Sequence, residues 1–175
     1  MIKFVYQNKP KGTGDAVLKA KKFITNKYFL MLLPDDLIVK KNCSKSMIAT
    51  HKKFKSAVMA SMTVSKKTLS RWGIYKLNKK LNSTDYTISS VIEKPSLQNA
   101  PSNKAVIGRY ILPKTIFKKL KKIKPSKGGE IHITDAIQLL LNDKEKFIAH
   151  NFIGKYLDCG TIQGYINSNK EISKL

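Results

Sequence analysis

An α/β fold with a doubly wound sheet is the architecture this sequence predicts, and three observations predict it. Tyr28-Phe29-Leu30-Met31-Leu32-Leu33 runs apolar without a break into Pro34-Asp35-Asp36, the pattern of a short strand buried on both faces of a sheet. Strand-like and helix-like stretches alternate from Ile2 to Val64, as in a sheet covered by helices on both faces. A glycine pair, Gly12 and Gly14, opens the first of those helices. In open α/β sheets the ligand site lies just beyond the carboxyl ends of the strands, which is where Asp35 and Asp36 fall.

Ile2 to Tyr6 reads as the first strand and Gln7 to Gly14 as a loop. Ala16, Val17, Ala20, Phe23 and Ile24 recur at helical spacing with lysines opposite. After the central strand, Ser44 or Ser46 is placed to cap a helix reaching about Phe54, and Ala57 to Val64 forms a second buried strand. Trp72 to Tyr75 is strand-like. Tyr86 to Lys94 alternates through Ile88, Ser90 and Ile92 until Pro95 ends it, because proline cannot donate to a ladder. A polar loop from Ser96 to Asn103 leads into a strand over Ala105 to Leu112. Pro113 suits the first turn of a basic helix reaching about Ile123, and Pro125 to Gly129 is a loop. Ile133, Ile137, Leu140 and Leu141 mark the inner face of a helix, Phe147 to Phe152 the last strand, and Thr161 the start of a terminal helix. No stretch reads as a linker, so residues 1–175 predict a single domain with a core large enough to fold.

Hydrophobic residues make up 42% of the chain, which argues against intrinsic disorder. Thirty-four Lys+Arg against 11 Asp+Glu give a formal charge of +23. That excess fits nucleic acid or phosphorylated small substrates. The lysines are scattered as pairs rather than gathered on one helix, apart from Lys118 to Lys127, and no nucleic-acid module is recognisable, so nucleic acid is the weaker reading. Cys43 and Cys159 form no CxxC, and His51, His132 and His150 are isolated, which leaves a zinc site without support. The expected compartment is a reducing cytoplasm. The first apolar run is too short for a signal peptide, and the central one too short to cross a membrane.

Five places carry residues suited to chemistry. Asp35 and Asp36 offer hard oxygens for Mg²⁺ beside a phosphate, although acids after a strand also serve as turn residues. Gly12-Thr13-Gly14 at a helix N-terminus lets backbone amides approach an anion or a polar base edge, but it lacks the third glycine of a dinucleotide fingerprint and is no Walker A loop. Glu93-Lys94-Pro95 puts an acceptor for sugar hydroxyls beside a point charge for phosphate. Gly73 and Gly108 within strands mark bulges or close backbone approach. Asp158-Cys159-Gly160 supplies a late carboxylate at a glycine turn. Amides for a base, an acceptor for a sugar, a cation for phosphate and two metal ligands together suit a nucleotide-sugar enzyme.

The chain resembles the bacterial UTP–glucose-1-phosphate uridylyltransferases, also called UDP-glucose pyrophosphorylases. The resemblance rests on Gln7 with Lys11-Gly12-x-Gly14-x-Ala16-Val17, on Leu33-Pro34-Asp35-Asp36-Leu37 and on Val91-Ile92-Glu93-Lys94-Pro95. It continues through Ala100-Pro101-Ser102-Asn103 to Gly108-Arg109-Tyr110-Ile111-Leu112, Lys124-Pro125, Gly129-Glu130 to Asp135-Ala136, and Tyr156-x-Asp158-Cys159-Gly160. It implies a Rossmann-like nucleotidyltransferase sheet and Mg²⁺-dependent transfer of a uridylyl group from UTP to glucose-1-phosphate, giving UDP-glucose and pyrophosphate. By the same resemblance Gln7 and the Gly12 amide read the uracil edge, and Asp35 and Asp158 hold Mg²⁺. The Gly73 amide and Glu93 bind the glucose hydroxyls, and Lys94 binds the sugar phosphate. Asp35, Lys94 and Asp158 are then the catalytic set. Glu130 belongs to a supporting motif with no assigned contact.

Two departures from the family pattern stand out. Asp15 replaces a histidine usual in the family. No stretch matches the family's Gly-x-Gly-Thr-Arg loop or the Pro-Lys motif after it, which grip the triphosphate. The expectation is therefore a fold incomplete at its N-terminus, resembling the C-terminal portion of the enzyme, as a truncated or split gene product inactive by itself. A complementing N-terminal segment or a homo-oligomer is the expected partner. The alternatives are a non-catalytic remnant or subunit that binds uridine nucleotides and, more remotely, a basic nucleic-acid-binding protein.

Overall fold

The computed structural model describes residues 1–126 and 128–175. Of the loop expected at Pro125 to Gly129, and of the basic run ending at Lys127, Lys127 itself lies outside the described residues. Six strands form one mixed sheet in the order β1-β6-β3-β7-β5-β4. They are β1 (Tyr28–Leu32), β3 (Ala57–Thr63), β4 (Gly73–Lys80), β5 (Asp85–Glu93), β6 (Lys104–Pro113) and β7 (Phe147–Asn151). A separate pair joins β2 (Asp36–Val39) to β8 (Lys155–Asp158). The helices are α1 (Thr13–Ala20), α2 (Cys43–Phe54), α3 (Ile116–Leu120), α4 (Ile133–Asn142) and α5 (Ile162–Ile172).

Helices cover both faces, as expected. Alternation along β3 and β6 decides which side chain meets which layer. Ala57, Met59, Val106, Tyr110 and Leu112 pack with Phe117 and Leu120 of α3 and Ile133, Ile137 and Leu140 of α4. Val58, Ala60, Ile107 and Ile111 pack with Cys43 and Met47 of α2 on the opposite side. Asn42, rather than a serine, caps α2, its side chain accepting from the Lys45 N–H at 2.9 Å.

Several expectations are corrected. The α/β sheet with helices on both faces is as expected, but its strands run in mixed directions: β3–β7 is parallel while the β1–β6, β3–β6, β5–β7 and β4–β5 pairings are antiparallel. An apolar run does not report the direction of its neighbour, so sequence could not have supplied this. The Tyr28 run is the sheet's edge and not its centre. It pairs only with β6 among the described residues, and Leu30 and Leu32 stay 38% and 50% exposed. Ile2 to Tyr6 forms no strand, since a strand needs a ladder partner and none of the described residues offers it one. Phe147 to Asn151 is not the last strand: β8 follows it, and β2, which directly follows the turn at Pro34, went unread. Pro113 ends β6 rather than starting a helix, and α3 is short.

Candidate functional site

The carboxyl-terminal turn of β1 is fixed from beneath by β6. The Leu33 N–H donates to Gly108 O at 2.8 Å. Arg109 Nη1 donates to the carbonyls of Leu33 (2.8 Å) and Gly108 (3.1 Å). This turn delivers two adjacent carboxylates to different tasks. Asp36 is turned inward, where Oδ2 accepts from the Gly108 N–H at 2.6 Å and Oδ1 accepts from the Tyr156 hydroxyl. A side chain at Gly108 would put its β-carbon 2.3 Å from Asp36 Oδ2 and 2.5 Å from Leu33 Cβ, so this strand position must be glycine. Burial pushes the Asp36 carboxyl above its ordinary value, although the bonds from Tyr156 and Gly108 pull the other way. The Tyr156 phenol is pushed up by burial and by its bond to Asp36. Asp36 thereby ties β2 to both β6 and β8.

Asp35 has a different neighbour. Its Oδ2 lies 2.9 Å, and Asp158 Oδ1 3.4 Å, from the point a β-carbon on Gly160 would occupy. The structure thus brings Asp35 and Asp158 together against one glycine. Two features align them: the Cys159 N–H donates to Asp35 O at 2.8 Å, and β2 pairs with β8 so that Asp36 stands opposite Asp158. The two Asp158 oxygens face different groups. Oδ1 accepts from the Gly160 N–H at 2.9 Å, and Oδ2 meets Arg71 Nη2 at 3.2 Å. A cleft of about 350 Å³ opens beside Asp158 and Arg71.

Arg71 leads through Trp72 to the second group. Gly73 and Glu93 are register partners in β4 and β5. The Lys94 N–H donates to Trp72 O at 3.0 Å, which makes Gly73 and Glu93 a non-hydrogen-bonded pair with the Gly73 N–H directed away from β5. Glu93 Oε2 accepts from Thr134 Oγ1 at 3.0 Å. A regular strand would send Glu93 and Lys94 to opposite faces. Lys94 breaks the alternation with φ 44°, a left-handed conformation rare for lysine, and its side chain is exposed. Beneath both groups lies Tyr110, whose phenol is raised chiefly by burial and further by Asp36, Glu93 and Asp35. Three of the carboxylates therefore act on one buried ring.

The glycine loop completes the arrangement. A β-carbon on Gly12 (φ 86°) would stand 2.7 Å from Ile131 O, and one on Gly14 2.8 Å from the same atom. The glycines are needed so that the loop can lie on Glu130–Ile131. The Gly14 N–H is spent on Ile131 O at 2.8 Å, while the Gly12 N–H has no partner among the described residues. Gln7 Nε2 donates to Gly12 O at 3.2 Å and to Asp15 Oδ2 at 2.7 Å. Glu130 itself is exposed. The Ile133 N–H donates to Thr13 Oγ1 at 3.3 Å, and the next residue, Thr134, holds Glu93. The first turn of α4 thus links the glycine loop to Glu93.

Sequence reasoning gave no role to Arg71, Arg109, Thr134 and Tyr156, which act through contacts distant in the chain. It also passed over Asp85, which accepts from His150 Nδ1 at 2.6 Å while His150 Nε2 meets Ser46 Oγ at 2.9 Å. That row has the order of a Ser-His-Asp relay, but Ser46 Oγ is also engaged with Cys43 O at 2.8 Å within α2. It fastens a helix to the sheet. Among the described residues no three His, Cys, Asp or Glu side chains are grouped to hold a metal ion, and no helix is long and apolar enough to cross a membrane.

Residues 1–174 match the nucleotidyl transferase family. The chain is 36% identical, over 173 residues, to UTP–glucose-1-phosphate uridylyltransferase 2 of Streptococcus pyogenes, spanning 96% of this chain and 58% of that protein. It superposes on a solved apo UDP-glucose pyrophosphorylase with a TM-score of 0.92 at 36% identity, covering 98% of this chain and 63% of that one. Against a UDP-glucose pyrophosphorylase solved with UDP-glucose the TM-score is 0.90 at 37% identity, covering 99% and 66%. The chain spans about three fifths of the length of such relatives.

Proposed function

We infer that this chain, which belongs to the nucleotidyl transferase family, carries base-, sugar- and metal-binding groups for uridylyl transfer from UTP to glucose-1-phosphate, with UDP-glucose and pyrophosphate as products. One observation carries the reading most. Asp35 and Asp158 meet at Gly160 while Glu93, across the buried Tyr110, faces Gly73 at the same region of the sheet. The likeness to uridylyltransferases and to a UDP-glucose complex supports it.

Two carboxylate oxygens held against one glycine fit Mg²⁺, which takes one or two carboxylates and completes its shell with phosphate and water. Asp35 and Asp158 would hold it, and when bound it neutralises nucleotide phosphate charge. The chain's own groups do the rest. Gly160 N–H and Arg71 orient Asp158 from two sides, and the backbone of Cys159 fixes the turn at Asp35. Glu93, steadied by Thr134, keeps lone pairs for sugar hydroxyls, and the Gly73 N–H, directed away from β5, adds a donor. Lys94 supplies a positive charge for the sugar phosphate. The sugar-phosphate oxygen attacks the α-phosphorus in line and pyrophosphate leaves, a reaction that depends on positioning and charge rather than on a covalent nucleophile.

Calorimetric titration tests this reading. Glu93→Gln should weaken UDP-glucose binding by about tenfold or more, the scale of a lost charged hydrogen bond, and leave UTP binding nearly intact. Equal loss of both ligands would make Glu93 structural and overturn its sugar role.

A further inference from the structure

Asp15 has no part in the chemistry above, yet it is 7% exposed and its carboxylate is aimed at Gln7. We infer that Asp15 is a specificity-positioning residue: it locks the Gln7 carboxamide with its oxygen outward, so that the site accepts a uracil edge and rejects cytosine. The inference rests on the proposed uridine site and deepens it.

The argument is one of donors and acceptors. A carboxylate and a peptide carbonyl only accept hydrogen bonds, so the group facing both Asp15 Oδ2 and Gly12 O must be the amide nitrogen of Gln7. Its two N–H bonds are then both committed, and Oε1 alone remains for a ligand. Lys19 Nζ stands 3.7 Å from the other oxygen, Asp15 Oδ1, so Oδ2 is left to Gln7. Beside Gln7, the Gly12 N–H has no partner among the described residues. The loop therefore presents one acceptor and one donor, Oε1 and N–H. Uracil offers the complement on one edge, an N3–H next to a carbonyl oxygen. Cytosine offers a lone pair at N3, which would face the Gln7 oxygen, and gains no bond there. Thymine shares the uracil edge and is not distinguished by this device. Without Asp15 the carboxamide can turn over and offer its NH₂ to cytosine N3.

The test compares binding of UDP-glucose and CDP-glucose to the full chain by titration calorimetry, with the Gln7 side-chain amide followed by NMR. The wild-type chain should prefer UDP-glucose by at least tenfold, the scale of a base-edge pair of hydrogen bonds. Its Gln7 NH₂ should give two dispersed, exchange-protected signals. Asp15→Ala should reduce the preference about tenfold, chiefly by improving CDP-glucose binding, and Asp15→Asn, whose oxygen can still accept from Gln7, should restore it. Unchanged preference in Asp15→Ala overturns the inference and leaves the uridine site standing. Absence of UDP-glucose binding by the wild-type chain overturns the site reading and the inference with it. Should Asp15→Ala not fold, the wild-type spectrum decides: averaged Gln7 signals at the position of a free carboxamide overturn the lock.

Discussion

Asp35 and Asp36 are neighbours in sequence with the same chemistry, and the structure separates them completely. Asp36 answers to Gly108 and Tyr156, whereas Asp35 answers to Gly160 and Asp158. Asp36→Asn should keep the fold, since the amide oxygen can accept from Gly108 while the NH₂ donates to the Tyr156 oxygen. Asp36→Ala leaves both partners unmet and should cost about 2–3 kcal/mol in urea unfolding. Asp35→Asn should leave stability unchanged within about 0.5 kcal/mol but weaken the Mg²⁺-dependent part of UDP-glucose binding. The pH dependence has a definite sign. Burial raises the Asp36 carboxyl above 3.8 in the folded chain, so the folded state holds that proton more tightly than the unfolded one. Its contribution to stability therefore falls as pH rises from near 3.8 through the raised value. Acid-range melting curves of Asp36→Asn should lack that component.

At the scale of elements, α2 is joined to the sheet by a polar row as well as by its apolar face. Ser46 on α2 meets His150 on β7, and His150 meets Asp85 on β5, which also receives the Asn82 amide at 2.6 Å. Asp85 and His150 are 3% and 5% exposed, so removing either strands its partner away from water. Asp85→Ala and His150→Ala should each cost about 2–4 kcal/mol in chemical denaturation, while their double variant should cost less than the sum. Additive losses would show that the row is not one unit. Cys43, at the first turn of the same helix, has its thiol pushed up to about 11 by burial, which fits a packing role.

For the whole molecule the open question is its surface. The outer edge of β1 carries Leu30 and Leu32 partly exposed, and Ile2, Phe4 and Tyr6 are each more than 80% exposed. An apolar edge left unpaired among the described residues invites pairing with another strand, and the charge of +23 opposes it. Self-association in sedimentation velocity should therefore grow as salt screens the charge, and Leu32→Lys should reduce it.

Sequence by itself determined what depends on local order and residue type. The buried strand Ala57 to Thr63 and the long strand ending near Leu112 were legible because a strand's apolar content is local. The amphipathic α4 was legible because helical period is local too. The family was legible because Gly12-x-Gly14, Pro34-Asp35-Asp36 and Glu93-Lys94-Pro95 are contiguous motifs. What only the tertiary structure decided depends on partners far apart in the chain. The Tyr28 run looks like a centre and is an edge, because apolarity does not say how many neighbours a strand has. A regular strand would part Glu93 from Lys94, so one ligand can meet both only if the chain twists or bulges just before Pro95, and the backbone shows the form this takes, a left-handed turn at Lys94. Gly12 and Gly14 read as openings for a ligand, and only the structure shows that Ile131 lies against both and takes the Gly14 N–H. Asp15 looked like a lost histidine until Gln7, eight residues earlier, was found bonded to it. Register and long-range hydrogen bonds arise from packing, and packing is fixed only when the whole chain has closed on itself.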